Sequence, residues 1–190
     1  LKKNFLNKIY NINFKNINNV KNLAFVLAIS EFLNINKKNT LRAIEKFKQL
    51  NYRQQIIFKN KNVVIINDSK STSFSSSENL LKSFKNIYWI VGGLPKKGDK
   101  FFLNKKYFSN IQSYIYGKNK NFFAKQFKKK IKFYFFPSIS EILKYIKKQN
   151  KFLEKKYTII FSPASASYDQ FKNFEHRGRY FNKLIKKHYN

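Results

Sequence analysis

The apolar positions of this chain follow two regimes. Up to about residue 50 they recur at helical intervals. Residues 20–34 are apolar on nearly every side, which predicts a helix packed on several neighbours. Residues 40–48 predict a second helix, with Thr40 as N-cap and Leu41, Ile44 and Phe47 turned inward. The Asn- and Lys-rich opening, up to Lys21, reads as a strand and a loop. Beyond residue 50 short apolar runs recur instead. Residues 55–59 suit an edge strand, and residues 63–67, 87–91, 113–117, 133–136 and 157–161 suit further strands. Between them lie helical patterns. Leu80, Leu81 and Phe84 share one face. A helix falls near residues 122–129, and Ile139, Ile142, Leu143 and Ile146 form a stripe. A last helix from about Gln170 offers Phe171, Phe174, Phe181 and Leu184 as core residues. Ser75-x-x-Glu78 and Ser138-x-x-Glu141 are capping boxes. Strands alternating with helices predict an α/β fold: a Rossmann-like, mostly parallel sheet with helices on both faces, preceded by a helical segment. The predicted domains are 1–50 and 51–190.

Composition narrows the classes. With 43% hydrophobic and 18% aromatic residues in 190, the chain can bury a sizeable core and is not a disordered one. No cysteine is present, which removes disulfides and thiolate metal sites and fits an intracellular setting, the cytoplasm. The longest apolar run, residues 22–30, is too short to span a bilayer, and no tripartite secretion signal opens the chain. Methionine is absent as well, so a chain opening Leu1-Lys-Lys reads as a portion of a longer protein.

Charge changes the picture less than its size suggests. Forty Lys and Arg against nine Asp and Glu give +31, which invites a nucleic-acid or membrane reading. The excess is lysine scattered through nearly every segment, and it rises together with Asn, Ile, Phe and Tyr, the residues of A/T-rich codons. A coding bias on exposed positions accounts for it, and no specific nucleic acid or membrane partner is expected.

Candidate chemistry gathers where strands end. Asp68-Ser-Lys-Ser-Thr72, Gly92-Gly-Leu-Pro-Lys-Lys-Gly98 and Ser162-Pro-Ala-Ser-Ala-Ser167 each follow a strand, and in a parallel sheet all three open on one edge, where ligands bind. A helix N-terminus after such a loop attracts anions; Lys70 adds charge, and Asp68 could hold a ribose hydroxyl or a metal. The same Ser, Thr and Asp residues also suit plain capping and turns. No G-x-x-x-x-G-K-[ST] loop, metal-spaced histidine set or Ser/His/Asp set is visible; His176 and His188 stand alone.

In order and spacing these three motifs, with Asp169-Gln-Phe-Lys-Asn-Phe174-Glu-x-Arg177-Gly178 after the last, resemble the C-terminal domain of the Mur ligases. Within that family they resemble the branch that adds D-glutamate to UDP-N-acetylmuramoyl-L-alanine, a peptidoglycan precursor. The likeness begins near Asn16. Asn19-x-x-Asn22 looks like the end of the family's central ATPase domain, with Asn18 in place of a histidine. Leu50-Asn-Tyr-Arg53 is similar to a Leu-Pro-His-Arg junction, with Asn51 and Tyr52 as departures. The resemblance implies that residues 1–50 are the remnant of the ATPase domain and that the P-loop lies outside this chain. It implies ATP-dependent amide formation through an acyl-phosphate, with ATP and Mg2+ as cofactors and no metal ligand in this chain. It also implies a fragment inactive alone and a monomeric full-length enzyme. By position it assigns Asn19 to adenine, Arg53 to the terminal phosphate, Asp68 to the ribose and Lys70 to a phosphate or substrate anion. Thr72, Lys96, Ser167 and the Phe174 backbone are assigned to D-glutamate, with Lys97 beside Lys96 as an alternative carboxylate partner. Two other readings stay open: a folylpolyglutamate synthase-like ligase of the same fold, and a basic nucleic-acid-binding module.

Overall fold

The structure, a computed structural model, describes residues 17–47, 50–150 and 155–189. The chain divides into two compact units, Leu1–Leu50 and Asn51–Asn190. The expected opening strand falls outside the described residues.

Among the described residues the first unit holds two helices, α1 (Ile17–Phe32) and α2 (Lys37–Lys46). Leu23 is buried, whereas Phe25, Val26, Ile29 and Phe32 are exposed, so the all-round packing that the apolar pattern of α1 suggests is not met by the described residues. The cap of α2 is Asn36, whose side chain accepts the Lys38 N–H at 2.9 Å. Thr40, expected there, lies one turn inside, buried, with its hydroxyl donating to the Asn36 carbonyl. Ile44 is buried and Phe47 is exposed at the C-cap.

The second unit is built on six strands: β1 (Gln55–Lys59), β2 (Val63–Asn67), β3 (Ile87–Gly92), β4 (Ile111–Tyr116), β5 (Lys132–Phe135) and β6 (Tyr157–Phe161). Their order in the sheet is β1-β2-β6-β3-β4-β5. Only the edge strand β1 runs antiparallel to its neighbour; the other pairs are parallel. The four inner strands are β-branched and aromatic runs buried on both faces, as a doubly covered sheet requires.

Two helix layers supply the cover. Phe74, Leu80 and Leu81 of α3 (Phe74–Lys82) and Phe123 and Phe127 of α4 (Lys120–Phe127) pack with Trp89, Val91, Ile115 and Ile160 on one face. Ile139, Ile142, Leu143 and Ile146 of α5 (Ile139–Gln149) and Phe181, Leu184 and Ile185 of α6 (Phe174–Tyr189) pack with Ile65, Ile90, Ile159 and Phe161 on the other. Ser138 caps α5 by accepting the Glu141 N–H. For α3 the cap is Ser73, reciprocated by Ser76, and not the Ser75 box: Ser75 is exposed, and Glu78 accepts the Phe102 N–H instead. The last helix begins at Phe174 and not near Gln170, because the Gln170 and Phe171 N–H groups close a turn onto the Ser167 carbonyl first. Phe171 and Phe174 are accordingly half-buried and outside the innermost core. A 3₁₀ segment, Lys105–Asn110, precedes β4 without a periodic signal in the sequence.

Candidate functional site

Five parallel strands place the loops after β2, β3 and β6 on one edge of the sheet, and hydrogen bonds join these loops to one another. The first tie is at the strand ends. The Asp68 N–H donates to the Phe161 carbonyl at 2.7 Å, and Ser162 Oγ donates to Asp68 Oδ2 at 2.8 Å. Between the β3 and β6 loops, Leu94 and Ala166 exchange backbone hydrogen bonds, and Ser165 Oγ donates to the Gly92 carbonyl. Between the β3 loop and α3, Asp99 Oδ2 accepts the Phe74 N–H at 2.8 Å, an acidic group set against the positive end of the helix. Trp89, fully buried in β3, adds Nε1–H to the Ser162 carbonyl at 2.7 Å.

The glycine pair is required by this closeness. Gly92 and Gly93 sit at φ +148° and +131°. A Cβ on Gly92 would strike the Tyr116 backbone, and one on Gly93 would strike Ser165 Oγ and the Ala166 carbonyl.

Asp68 is the buried acid of the site. Its Oδ1 accepts the Gln54 N–H at 3.1 Å, so both carboxylate oxygens are engaged. Burial outweighs these bonds and the nearby Arg53 and Arg177 charges, and the pKa rises to about 7. From Ser162 a file of hydroxyls continues through Ser77 (2.7 Å) and Ser71 (2.7 Å) to Ser76 (2.8 Å) at the exposed start of α3. Each hydroxyl carries one proton, so an ionised Asp68 fixes the direction of donation as far as Ser71, while Ser76 Oγ also donates to the Ser73 carbonyl at 2.7 Å.

The residues singled out for D-glutamate fall on these loops. Thr72 is exposed after the Asp68 turn, Lys96 and Lys97 are exposed on the β3 loop, and Ser167 is buried at the end of the β6 loop. Among the described residues no hydrogen bond engages the Thr72 or Ser167 hydroxyl or either lysine ammonium. Phe174 opens α6, where first-turn N–H groups have no intrahelical acceptor. Its carbonyl accepts from Ser69 Oγ at 2.8 Å, and Lys70 Nζ stands 3.8 Å over its ring. Lys70 is thereby half-buried against Phe174, with its N–H on the Tyr52 carbonyl.

Of the residues singled out for ATP, Arg53 and Asp68 come close enough for the guanidinium to favour the carboxylate. Asn19 lies on α1, in the other unit, and its side chain is outside the described residues. Tyr52, read from sequence as a departure on the nucleotide side, has a packing role: its ring lies so close to Gly178 on α6 that no Cβ fits there. Among the described residues no group of three or more His, Cys, Asp or Glu could hold a metal, and no helix is long and apolar enough to cross a membrane.

Sequence reasoning gave Arg177 no role beyond its motif, yet it is fully buried behind the loops. Its Nε donates to Ser69 Oγ at 3.1 Å, and its Nη2 donates to the Ser69 and Ser165 carbonyls at 2.7 and 2.9 Å. An arginine two or three residues into a helix reads as solvent-facing. Only its place beside Gly178, which lets the helix come close, hinted otherwise.

No family model matches the chain. It is 37% identical over 182 residues to the UDP-N-acetylmuramoylalanine--D-glutamate ligase of Rickettsia felis, covering 94% of this chain and 40% of that one. It is 34% identical over 185 residues to the ligase of the same name from Hydrogenobaculum sp., covering 93% and 42%. The chain thus spans about two fifths of the length of these curated relatives. In fold it is similar to MurF from Acinetobacter baumannii, with a TM-score of 0.60 at 16% identity over 88% of this chain and 37% of that one. A pseudomurein peptide ligase type C from Methanothermus fervidus gives a TM-score of 0.59 at 17% identity, covering 90% and 36%. The chain thus matches the C-terminal part of the UDP-N-acetylmuramoylalanine--D-glutamate ligases and shares its fold with Mur ligases.

Proposed function

We propose that this chain is the D-glutamate-binding and nucleotide-completing part of an ATP-dependent ligase that joins D-glutamate to UDP-N-acetylmuramoyl-L-alanine in the cytoplasm. The P-loop and the muramoyl site would be supplied by the portion of such a ligase upstream of the region matched here. The observation that carries the reading is the meeting of three loops, distant in sequence, at one edge of the sheet, with the Thr72 and Ser167 hydroxyls and the Lys96 ammonium left unengaged. The curated relatives' names supply the substrate class.

In this reading the muramoyl-alanine carboxylate takes the γ-phosphoryl group of ATP. The D-glutamate amine then attacks the acyl-phosphate, and phosphate leaves from the tetrahedral intermediate as the amide forms. Such a reaction is accelerated mainly by holding the reactants in line and by balancing charge. Lys96 pairs a D-glutamate carboxylate, with Lys97 as its neighbour on the same loop. Thr72 and Ser167 donate hydroxyls, and Phe174 offers its first-turn N–H. Lys70, stacked on Phe174, supplies positive charge toward the phosphate or the substrate anion. Asn19 serves the adenine, Arg53 the terminal phosphate and Asp68 the ribose. Both oxygens of Asp68 already accept hydrogen bonds, so a ribose hydroxyl would have to share one of them. The described residues hold no carboxylate cluster fit for magnesium.

The test is steady-state kinetics in the full-length ligase. Lys96→Ala is expected to raise the KM for D-glutamate by about tenfold or more while the KM for ATP stays put, because a charged hydrogen bond to a bound carboxylate is lost. Arg53→Ala should weaken ATP use instead. A D-glutamate KM unchanged in Lys96→Ala, with Lys97 intact, would refute the assignment of Lys96.

A further inference from the structure

Arg177 is a cation in the interior with no carboxylate at ion-pair distance among the described residues. Asp68 and Asp169 act on it from further away, and burial lowers its pKa. Removing a guanidinium from water is costly unless its donors are used, so a buried arginine marks a place where several acceptors must be held in fixed positions.

The acceptors here belong to two different loops. Nε and Nη2 hold Ser69, three residues before Thr72, by its hydroxyl and its carbonyl. The same Nη2 holds the carbonyl of Ser165, two residues before Ser167. Nη1 lies against the third loop: a Cβ on Gly93 would stand 3.3 Å from it. Nη1 and the Tyr116 hydroxyl are both buried without a hydrogen-bond partner, and each acts on the ionisation of the other. One planar group therefore touches the loops after β2, β3 and β6 from behind.

We propose that Arg177 is a positioning residue for the amino-acid substrate: its guanidinium, bridging the Ser69 and Ser165 carbonyls beneath Gly93, sets the spacing between the Thr72 and Ser167 groups that grip D-glutamate. This rests on the functional reading given above. The nucleotide side has separate ties, since Asp68 is fixed by Ser162 Oγ, by the Gln54 N–H and through its own N–H on Phe161. Among the described residues no hydrogen bond joins residues 69–72 directly to residues 163–167, and Arg177 joins the two stretches through Ser69 and Ser165. Arg177 thus bears on D-glutamate more than on ATP. The fork geometry matters as well as the charge, because a lysine can keep the charge but cannot hold Ser69 and Ser165 at once in a planar arrangement.

The experiment uses the full-length ligase with Arg177→Lys and, as a milder cut, Ser69→Ala, which removes the Nε acceptor. KM values for D-glutamate and ATP, thermal unfolding, and hydrogen–deuterium exchange of peptides covering residues 68–72 and 162–167 are measured together. Arg177→Lys is expected to raise the D-glutamate KM by about tenfold or more, since displacements near 1 Å carry such factors. The ATP KM should stay within about threefold in the same variant. Exchange should quicken in both peptides, and Ser69→Ala should move the same readouts less. An unchanged D-glutamate KM in a folded Arg177→Lys enzyme overturns the proposal, as does an equal rise in both KM values or exchange that stays at the wild-type rate. If Arg177→Lys does not fold, Ser69→Ala decides by the same readouts. A wild-type enzyme that adds no D-glutamate overturns the functional reading itself, and with it the named substrate, whereas the exchange measurement still reports whether the brace between the loops exists.

Discussion

Asp68 sits where two demands on a carboxylate conflict. It ties β2 to β6 through Ser162, which favours the charged acceptor, and it is 5% exposed, which disfavours charge; burial wins. Because its folded pKa of about 7 lies above the ordinary carboxylate value, the folded protein holds this proton over a range where the unfolded chain has released it. Its contribution to stability is therefore full at acid pH and is lost as pH rises from the ordinary carboxylate value through about 7. Asp68→Asn cannot ionise, and the amide can donate to Ser162 while the hydroxyl file reverses its direction. Thermal or urea unfolding from acid to neutral pH should show the variant gaining on the wild type, by up to about 1.4 kcal/mol per pH unit. A difference independent of pH would mean that Asp68 titrates normally.

The same scale separates what was legible from what was not. Lys70, Thr72, Lys96 and Ser167 were legible as polar groups on loops after strands, because a parallel sheet puts such loops on one edge. Arg177 was not: its neighbours Ser69 and Ser165 are 108 and 12 positions away in sequence. The packing of Tyr52 on Gly178 was hidden for the same reason.

Among the elements, α3 offers the sharpest contrast between local pattern and local structure. The sequence contains two serines two positions apart that could cap it, and Ser75-x-x-Glu78 is the better written box. The helix starts at Phe74 because that N–H reaches Asp99 and the Phe74 ring reaches Trp89, Phe101, Phe123 and Phe127, so the cap falls on Ser73. Ser73→Ala should accordingly cost about 1 kcal/mol in chemical denaturation, and Ser75→Ala a few tenths at most. Equal costs would argue that the start of α3 is shared between the two. The strands needed no such help, since each buried run is β-branched or aromatic and too short for a helix. The start of α6 lies about a turn beyond the one its apolar stripe implies, because Phe171 and Phe174 fit a helical stripe while the chain is still turning on the Ser167 carbonyl.

For the whole molecule the dominant quantity is charge. A chain of +31, with nine acids for forty bases, carries much self-repulsion, which pairs such as Lys82–Glu78 and Lys144–Glu141 offset only in part. Raising salt from about 20 mM to about 300 mM shortens the screening length severalfold, so the unfolding temperature should rise. A falling temperature would mean that attractive pairs outweigh the repulsion. Among the described residues the lysines sit on helices, strands and loops alike and are not gathered with exposed aromatics on one element. That spread is what a coding bias produces, and it keeps a nucleic-acid role from explaining the charge.

Some properties of this protein follow from the sequence alone. Apolar periodicity determined that six short apolar runs become strands and that the helices between them cover both faces, because burial of alternating or striped side chains leaves little choice of local structure. Tertiary structure alone decided that β6 enters between β2 and β3, and so which loops are neighbours. With that order came the tie from Ser162 to Asp68, the raised proton affinity of Asp68 and the reach of Arg177 across two loops. These depend on groups that meet only when the sheet is assembled, and no short-range pattern records such meetings.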